Sequence, residues 1–270
     1  MTDTTTPTLV QRRFPIKDKE LGMVMFDLLE ERRRAKLGPY TGASDISLAA
    51  FFEWAMSRTG TAKAQLFQDL WVLWELKELR NGYFCEFGAA DGINFSNTHL
   101  LEKEYGWSGI LAEPNPADHE LLNRERDCHI SDKCVFSESG RKMNFLCTTR
   151  PLLSRLSDVV PNDNQERRGK RQVEQEIEVE SISLNDLLDS FRAPEHIDYI
   201  SIDTEGSEYE ILKNFDFALR SVTMFTVEHN GTAFRKDIFK LLRAHGYERC
   251  FASFSRFDDW YIRRDLISAT

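Results

Sequence analysis

The chain has 270 residues, 41% of them hydrophobic and 29% charged, which allows one large packed domain with or without an appendage. A formal charge of −9 argues against nucleic acid as a partner, since phosphate binding rests on lysine and arginine, and no apolar run approaches the roughly 18 residues of a membrane span. Five cysteines without a Cys-x-x-Cys pair form neither a disulfide framework nor a zinc site, and with a polar, threonine-rich start at 1–8 they point to a reducing, cytoplasmic setting.

The first eighty residues carry helical periodicity and no strand pattern. Leu21, Val24, Met25, Leu28 and Leu29 predict a helix over 19–36 with Arg32, Arg33 and Arg34 on its polar face, stopped by Gly38-Pro39. Ser44 or Asp45 caps a second, with Leu48, Phe51, Phe52, Ala55 and Met56 as its stripe. A third, over 61–80, carries Leu66, Leu70, Trp71, Leu73, Trp74 and Leu79 and ends at Asn81-Gly82. The expected division is therefore a helical segment, 1–81, that shapes substrate access or supports a homo-oligomer, and an α/β domain, 82–270.

From Gly82 onward strands alternate with helices, which predicts a parallel sheet covered on both faces. The strands fall at 83–87, 109–112, 133–137, 198–202, 223–228, 248–254 and 259–263. The helices fall at 94–105, 116–125, 184–191, 208–214 and 234–245. A short turn around Ser255-Arg256 makes the last two strands an antiparallel hairpin. Residues 150–176, with Pro151, Pro161 and the run Arg167-Arg168-Gly169-Lys170-Arg171, read as a long polar loop, either a lid over the ligand crevice or a disordered segment. The basic run is either solvated surface or a contact for an anionic substrate.

The most informative segment is Phe84-Cys85-Glu86-Phe87-Gly88-Ala89-Ala90-Asp91-Gly92, a buried strand running into a small-residue turn and then a helix, the opening of a nucleotide-binding α/β domain. Glycine lets the backbone pass close to a ligand. Glu86 and Asp91 place carboxylates where a pyrophosphate would be repelled and a cationic, hydroxyl-bearing ligand would not, which favours S-adenosylmethionine over NAD. The next strand ends at Glu113-Pro114-Asn115-Pro116, and an acid about 20 residues beyond the glycine turn is the usual clamp on a ribose diol. Ala90 stands where the common turn has glycine, and its methyl group is expected to keep that position at negative φ.

These two motifs, with Ile200-Ser201-Ile202-Asp203-Thr204-Glu205-Gly206-Ser207-Glu208, resemble the FkbM family of S-adenosylmethionine-dependent O-methyltransferases, over roughly 82–265. The resemblance implies a Rossmann-like seven-stranded sheet with an antiparallel last strand, and methylation of hydroxyl groups on small natural products or sugars.

Ligands of open α/β sheets sit at the carboxyl ends of the strands. Glu86, Gly88, Ala89, Asp91, Gly92, Glu113 and Asn115 form the expected cofactor site, with Ser137 (or Glu138) on the adenine amino group and Asp203 on the methionine ammonium or the substrate. Alcohol methylation needs orientation and proton removal. Asp203, Glu228 and His229 are the candidates for it, and two readings stay open. In one they hold Mg²⁺, with Asn230 as a further donor, as similar sugar O-methyltransferases do at these strand ends. In the other His229 is a metal-free general base. Glu205 and Glu208 either join the site or only brace the turn and the helix start. The rival to an enzyme is a non-catalytic interaction module with a vestigial cofactor fold.

Overall fold

The computed structural model describes residues 50–159, 169, 171–252 and 255–267. The helix expected over 19–36, Arg167, Arg168 and Lys170 lie outside them. The chain divides into two units, 1–52 and 53–270; of the first, residues 50–52 are described and are helical.

In chain order the second unit contains α1 (Gln68–Glu75), β1 (Tyr83–Phe87), α2 (His99–Tyr105), β2 (Ser108–Ala112), α3 (His119–Glu125), β3 (His129–Ser131) and β4 (Cys134–Phe136). Next come β5 (Lys142–Thr148), β6 (Arg155–Leu156), β7 (Val173–Ser183), α4 (Leu184–Ser190), β8 (His196–Ile202) and α5 (Glu208–Lys213). The chain closes with β9 (Ser221–Glu228), α6 (Phe234–Ala244), β10 (Tyr247–Cys250), β11 (Asp258–Arg263) and α7 (Arg264–Ile267).

Seven strands form the main sheet in the order β10-β11-β9-β8-β1-β2-β3. β11 is antiparallel to both its neighbours and the other pairs are parallel. This is the α/β fold and the antiparallel hairpin the sequence predicts. Strand order reverses between β1 and β8, and a crevice opens at such a point beyond the strand ends. The central strands are apolar because both faces are covered: Cys85, Phe87, Ile200, Ile202, Phe225 and Val227 are buried with Leu187, Leu188, Ile211 and Leu242 from the helices. Among the described residues no helix is long and apolar enough to cross a membrane.

Four expectations need correction. The helix over 61–80 shrinks to α1, because Phe67, Lys77 and Glu78 adopt positive φ on either side of it and the Asp69 carboxylate accepts the backbone N–H groups of Lys63 and Ala64. The helix over 94–105 starts only at His99, since side-chain acceptors take the amides of Ile93, Asn94 and Asn97 and hold that stretch as a turn. The strand over 133–137 is not the third strand of the main sheet. β3 occupies that place, and β4 joins a second, four-stranded sheet in the order β4-β7-β5-β6. Finally, the segment 150–176 is not one loop: it holds a 3₁₀ turn (Pro151–Leu153), β6 and the start of β7. Cys134, Met143, Phe145, Cys147, Leu156 and Val179 give this second sheet a small core of its own.

Candidate active site

At the tip of β1 the backbone is threaded between its neighbours. Gly88 N–H donates to the Ala112 carbonyl at 3.1 Å, and Asp203 N–H to the Phe87 carbonyl at 3.2 Å. Gly88 has φ +78°, and a Cβ there would stand 1.6 Å from the Asp203 carbonyl oxygen, so only glycine lets β1 and β8 end side by side. Ala90, contrary to expectation, sits at φ +44°. That conformation costs an L-residue roughly 1–2 kcal/mol, and it aims the Ala90 N–H at Glu113 Oε2, 2.8 Å away.

Three acids of this half are engaged as braces. Glu86 is buried; its oxygens accept from Asn97 N–H (2.7 Å), Ser96 Oγ (2.9 Å) and Thr98 Oγ1 (2.5 Å), with the buried Arg126 guanidinium 4.0 Å away. Asp91 accepts from the amides of Ile93 and Asn94 and from the Asn94 side chain. Glu113 accepts from Ala90 N–H and Asn115 N–H. Burial pushes Glu113 up to about 7. Each of its oxygens keeps a second lone pair.

Two hollows meet over these strand ends. The first, about 560 Å³ including its open mouth, runs past Gly88 and Glu113 to an apolar wall of Val135, Phe145 and Leu156 from the second sheet and Leu152 from the 3₁₀ turn. The second, about 1080 Å³ including its open mouth, is polar, with Gln68, Glu86, Asn97, Glu228 and Asp258 among its walls. Gly88, Leu152, Asp203 and Glu205 border both. The 3₁₀ turn at Pro151–Leu153 therefore spans the junction, the position a lid would take.

At that junction Asp203, Glu205 and Glu228 each bring a carboxylate oxygen within 4.8 Å of the others. Register explains it: Ile202 pairs with Val227, so the next residues, Asp203 and Glu228, emerge together from β8 and β9. Glu205, at φ +58° in the following turn, folds back beside them. Two unit charges 4 Å apart repel by about 4 kcal/mol at an effective dielectric of 20, so this trio is not fully ionised without compensating charge. Arg171 supplies part of it through an ion pair to Glu205, both side chains almost fully buried, and Asn230 Nδ2 donates to Glu205 at 3.1 Å. Burial first, and the crowding of neighbouring acids second, hold Asp203 and Glu228 well above the usual carboxylate range.

The sequence candidates thus separate. Asp203 and Glu228 come together; His229 does not join them. Its Nδ1 accepts the Gly231 N–H at 2.9 Å, which leaves the proton on Nε2, 3.7 Å from Asp259 in a cluster with Arg235 and Arg249. Burial lowers its pKa. Ser137 lies past the end of β4, and at the first hollow Cys134 and Val135 line the wall instead. Glu138 is exposed and pairs with Arg141. Asn115 braces its own turn, donating to Asp118 and accepting from Ala117 N–H. Gly92 gives its carbonyl to Arg126. Glu208 caps its turn through Thr204 and Gly206. The residues that sequence reading passed over are Gln68 and Asp258, joined by a hydrogen bond in the wall of the polar hollow. Asp258 stands just before the strand expected at 259–263 and opens the observed β11, and its pairing opposite Glu228 is the signal that marks it.

A model of the methyltransferase FkbM domain matches residues 86–249, well over half of the chain. No curated protein matches it. Similar solved structures include precorrin-6y C5,15-methyltransferase from Geobacter metallireducens GS-15, at 13% identity and a TM-score of 0.38 over 72% of this chain and 85% of that one. Another is 1,6-didemethyltoxoflavin-N1-methyltransferase from Burkholderia thailandensis with bound 1,6-didemethyltoxoflavin and S-adenosylhomocysteine, at 12% identity and 0.34 over 83% of this chain and 90% of that one. Those scores carry no weight beside the family match. On that match, the chain belongs to the methyltransferase FkbM domain family.

Proposed function

We propose that this methyltransferase uses S-adenosylmethionine to methylate a hydroxyl group of a small molecule, a sugar or secondary metabolite. The observation that carries this reading is the convergence of Asp203, Glu205 and Glu228 where the apolar, Glu113-edged hollow opens into the polar one. The donor set suits the cofactor: remaining lone pairs on Glu113 for a ribose diol, the Val135, Phe145 and Leu156 wall for a base, and anionic oxygens for the ammonium and sulfonium. Bound there, the cofactor supplies a methyl group activated by a positive sulfur.

The chain's own contribution is then to hold the acceptor oxygen in line and take its proton. Ionised when a cationic cofactor lies beside it, Glu228 is the group best suited to receive that proton, because burial and Asp203 beside it raise its affinity for one. Asp203 positions donor and acceptor from the shared wall. Leu152 helps to exclude water from the junction. His229 supports the loop that carries Asn230. Asp203, Glu205 and Glu228 also fit a small dication such as Mg²⁺, by oxygen chemistry and mutual distance, although Arg171 already offsets Glu205. Such an ion would polarise the acceptor oxygen.

The test is transfer of radiolabelled methyl from S-adenosylmethionine into a pooled small-molecule extract. The expected result is label in an alkali-stable ether, lost in Asp203→Asn. No transfer by the wild-type chain, or label on nitrogen or carbon, contradicts the reading. Activity that survives thorough chelation removes the ion from it.

A further inference from the structure

Across the ends of three adjacent strands runs a row of carboxylates: Asp203 after β8, Glu228 at the end of β9 and Asp258 at the start of β11, the last two paired in register. Neighbouring strands lie about 5 Å apart, so Asp258 stands one strand beyond the carboxylates that face the reacting methyl. Gln68 fixes its direction. The Gln68 Oε1 is taken by the Leu66 N–H at 2.8 Å, which turns Nε2 to the Asp258 carboxylate. Both side chains are buried, at 3% and 6% exposure, and both line the polar hollow.

No cation among the described residues reaches Asp258. The charged groups that act on it most strongly, Asp259 and Glu208, are acids, as is Glu228, its partner in register. Glu86 in the same wall is saturated by its turn, and Glu205 has Arg171. Among the described residues the single basic one lining the hollow, Arg150, is exposed. An independent sign comes from Asn97, 7% exposed and in the same wall: Nδ2 donates to Ser201 Oγ at 2.8 Å, while the buried Oδ1 has no hydrogen-bond partner. Among the described residues, the buried polar atoms this wall leaves for a ligand, the Asp258 carboxylate and Asn97 Oδ1, are acceptors. A bound ligand must bring the donors, since a buried acceptor left unpaired costs about 1–3 kcal/mol.

Resting on the proposed function, we infer that the methyl acceptor is an amino alcohol, its ammonium group held by Asp258 with Glu228 while the neighbouring hydroxyl faces the methyl group. With a hydrogen bond at each end, vicinal substituents can bridge the one-strand offset between Asp258 and the Asp203–Glu228 pair. Among the described residues, the buried part of this wall offers no cation to an anionic acceptor, phosphorylated or carboxylated.

Three matched probes test this by saturation-transfer NMR on the full chain with S-adenosylhomocysteine present: trans-2-aminocyclohexanol, trans-1,2-cyclohexanediol and trans-2-hydroxycyclohexanecarboxylate. The expected result is at least threefold stronger saturation of the amino alcohol than of the diol and none for the hydroxy acid. Asp258→Asn should bring the amino alcohol down to the diol level while S-adenosylhomocysteine affinity stays within twofold. Equal or stronger saturation of the diol or the hydroxy acid overturns the inference, as does silence from all three or a preference that survives Asp258→Asn. The wild-type comparison decides the matter even if that variant does not fold. Failure to bind S-adenosylhomocysteine at all would instead remove the proposed function.

Discussion

The two halves of the cleft use carboxylates in opposite ways. Beside β1 and β2, Glu86, Asp91 and Glu113 are each met by two or more donors from nearby backbone or hydroxyl groups. Beside β8, β9 and β11, Asp203, Glu228 and Asp258 face one another and a neutral amide. The first half is braced by its own chain and holds a shape, Glu113 alone keeping a free lone pair on each oxygen for a ligand. The second half is incomplete without a proton or a cationic ligand, which is the condition of a reacting site. Sequence alone makes the six acids look alike; their partners make them different.

The contrast breaks first, if it is wrong, at Glu228. Glu228→Gln is expected to lower the methyl-transfer rate by about 10²–10⁴-fold, the usual worth of a positioned acid or base, while thermal stability stays level or rises because a buried acid crowded by Asp203 is gone. Single-turnover transfer and a melting curve check both halves of that statement. A melt lowered in proportion to the lost rate would make Glu228 structural.

Glu86 should behave in the reverse sense. Glu86→Ala strands three donors and leaves Arg126 with Glu102 as its remaining carboxylate partner, so denaturant unfolding should show a loss of about 3 kcal/mol. Unchanged stability with lost cofactor affinity would restore Glu86 to the role the sequence suggests for it, a carboxylate facing the ligand.

That reversal shows what sequence could and could not yield. β1, β2, β8, β9 and β11 were legible because they are short apolar runs buried on both faces, and the register of β8 with β9 follows from their order in the sheet. Asp203 and Glu228 were legible for the same reason, as the residues at two strand ends. β3 was not: three residues, His129–Ser131, graded from exposed to buried, give no periodicity. β7 carried a signal that the polar count masked. Val173, Gln175, Ile177 and Val179 alternate with Glu174, Glu176, Glu178 and Glu180, the period of a strand with one wet face. The placement of His229 turned on the Gly231 amide and Asp259, distant choices of partner that no local pattern announces. Ala90 at positive φ is likewise a tertiary decision, made by the Glu113 oxygen that its N–H meets.

A smaller effect follows from the raised carboxyls. Asp69 is pushed up to about 6 by burial, and Glu113 and Asp258 to about 7. Between their ordinary values near 4 and these, the folded chain keeps protons that the unfolded chain releases, so stability present at low pH is lost as pH rises through 6 to 7. The ligand-free melting temperature should fall by roughly 5 °C between pH 5.5 and pH 8, taking about 2 kcal/mol in all, and S-adenosylmethionine should narrow that fall by bringing positive charge. A melting temperature that rises over this window contradicts the assignment of raised values to these groups.

The central claim is that the Glu113-edged hollow receives the adenosyl half of a sulfonium cofactor. Isothermal calorimetry with S-adenosylhomocysteine addresses it most directly: the wild-type chain should bind, and Glu113→Gln should bind at least about tenfold more weakly, a difference of about 1.4 kcal/mol, with its fold intact by circular dichroism. Absence of binding by the wild-type chain, or equal affinity in the variant, would contradict it.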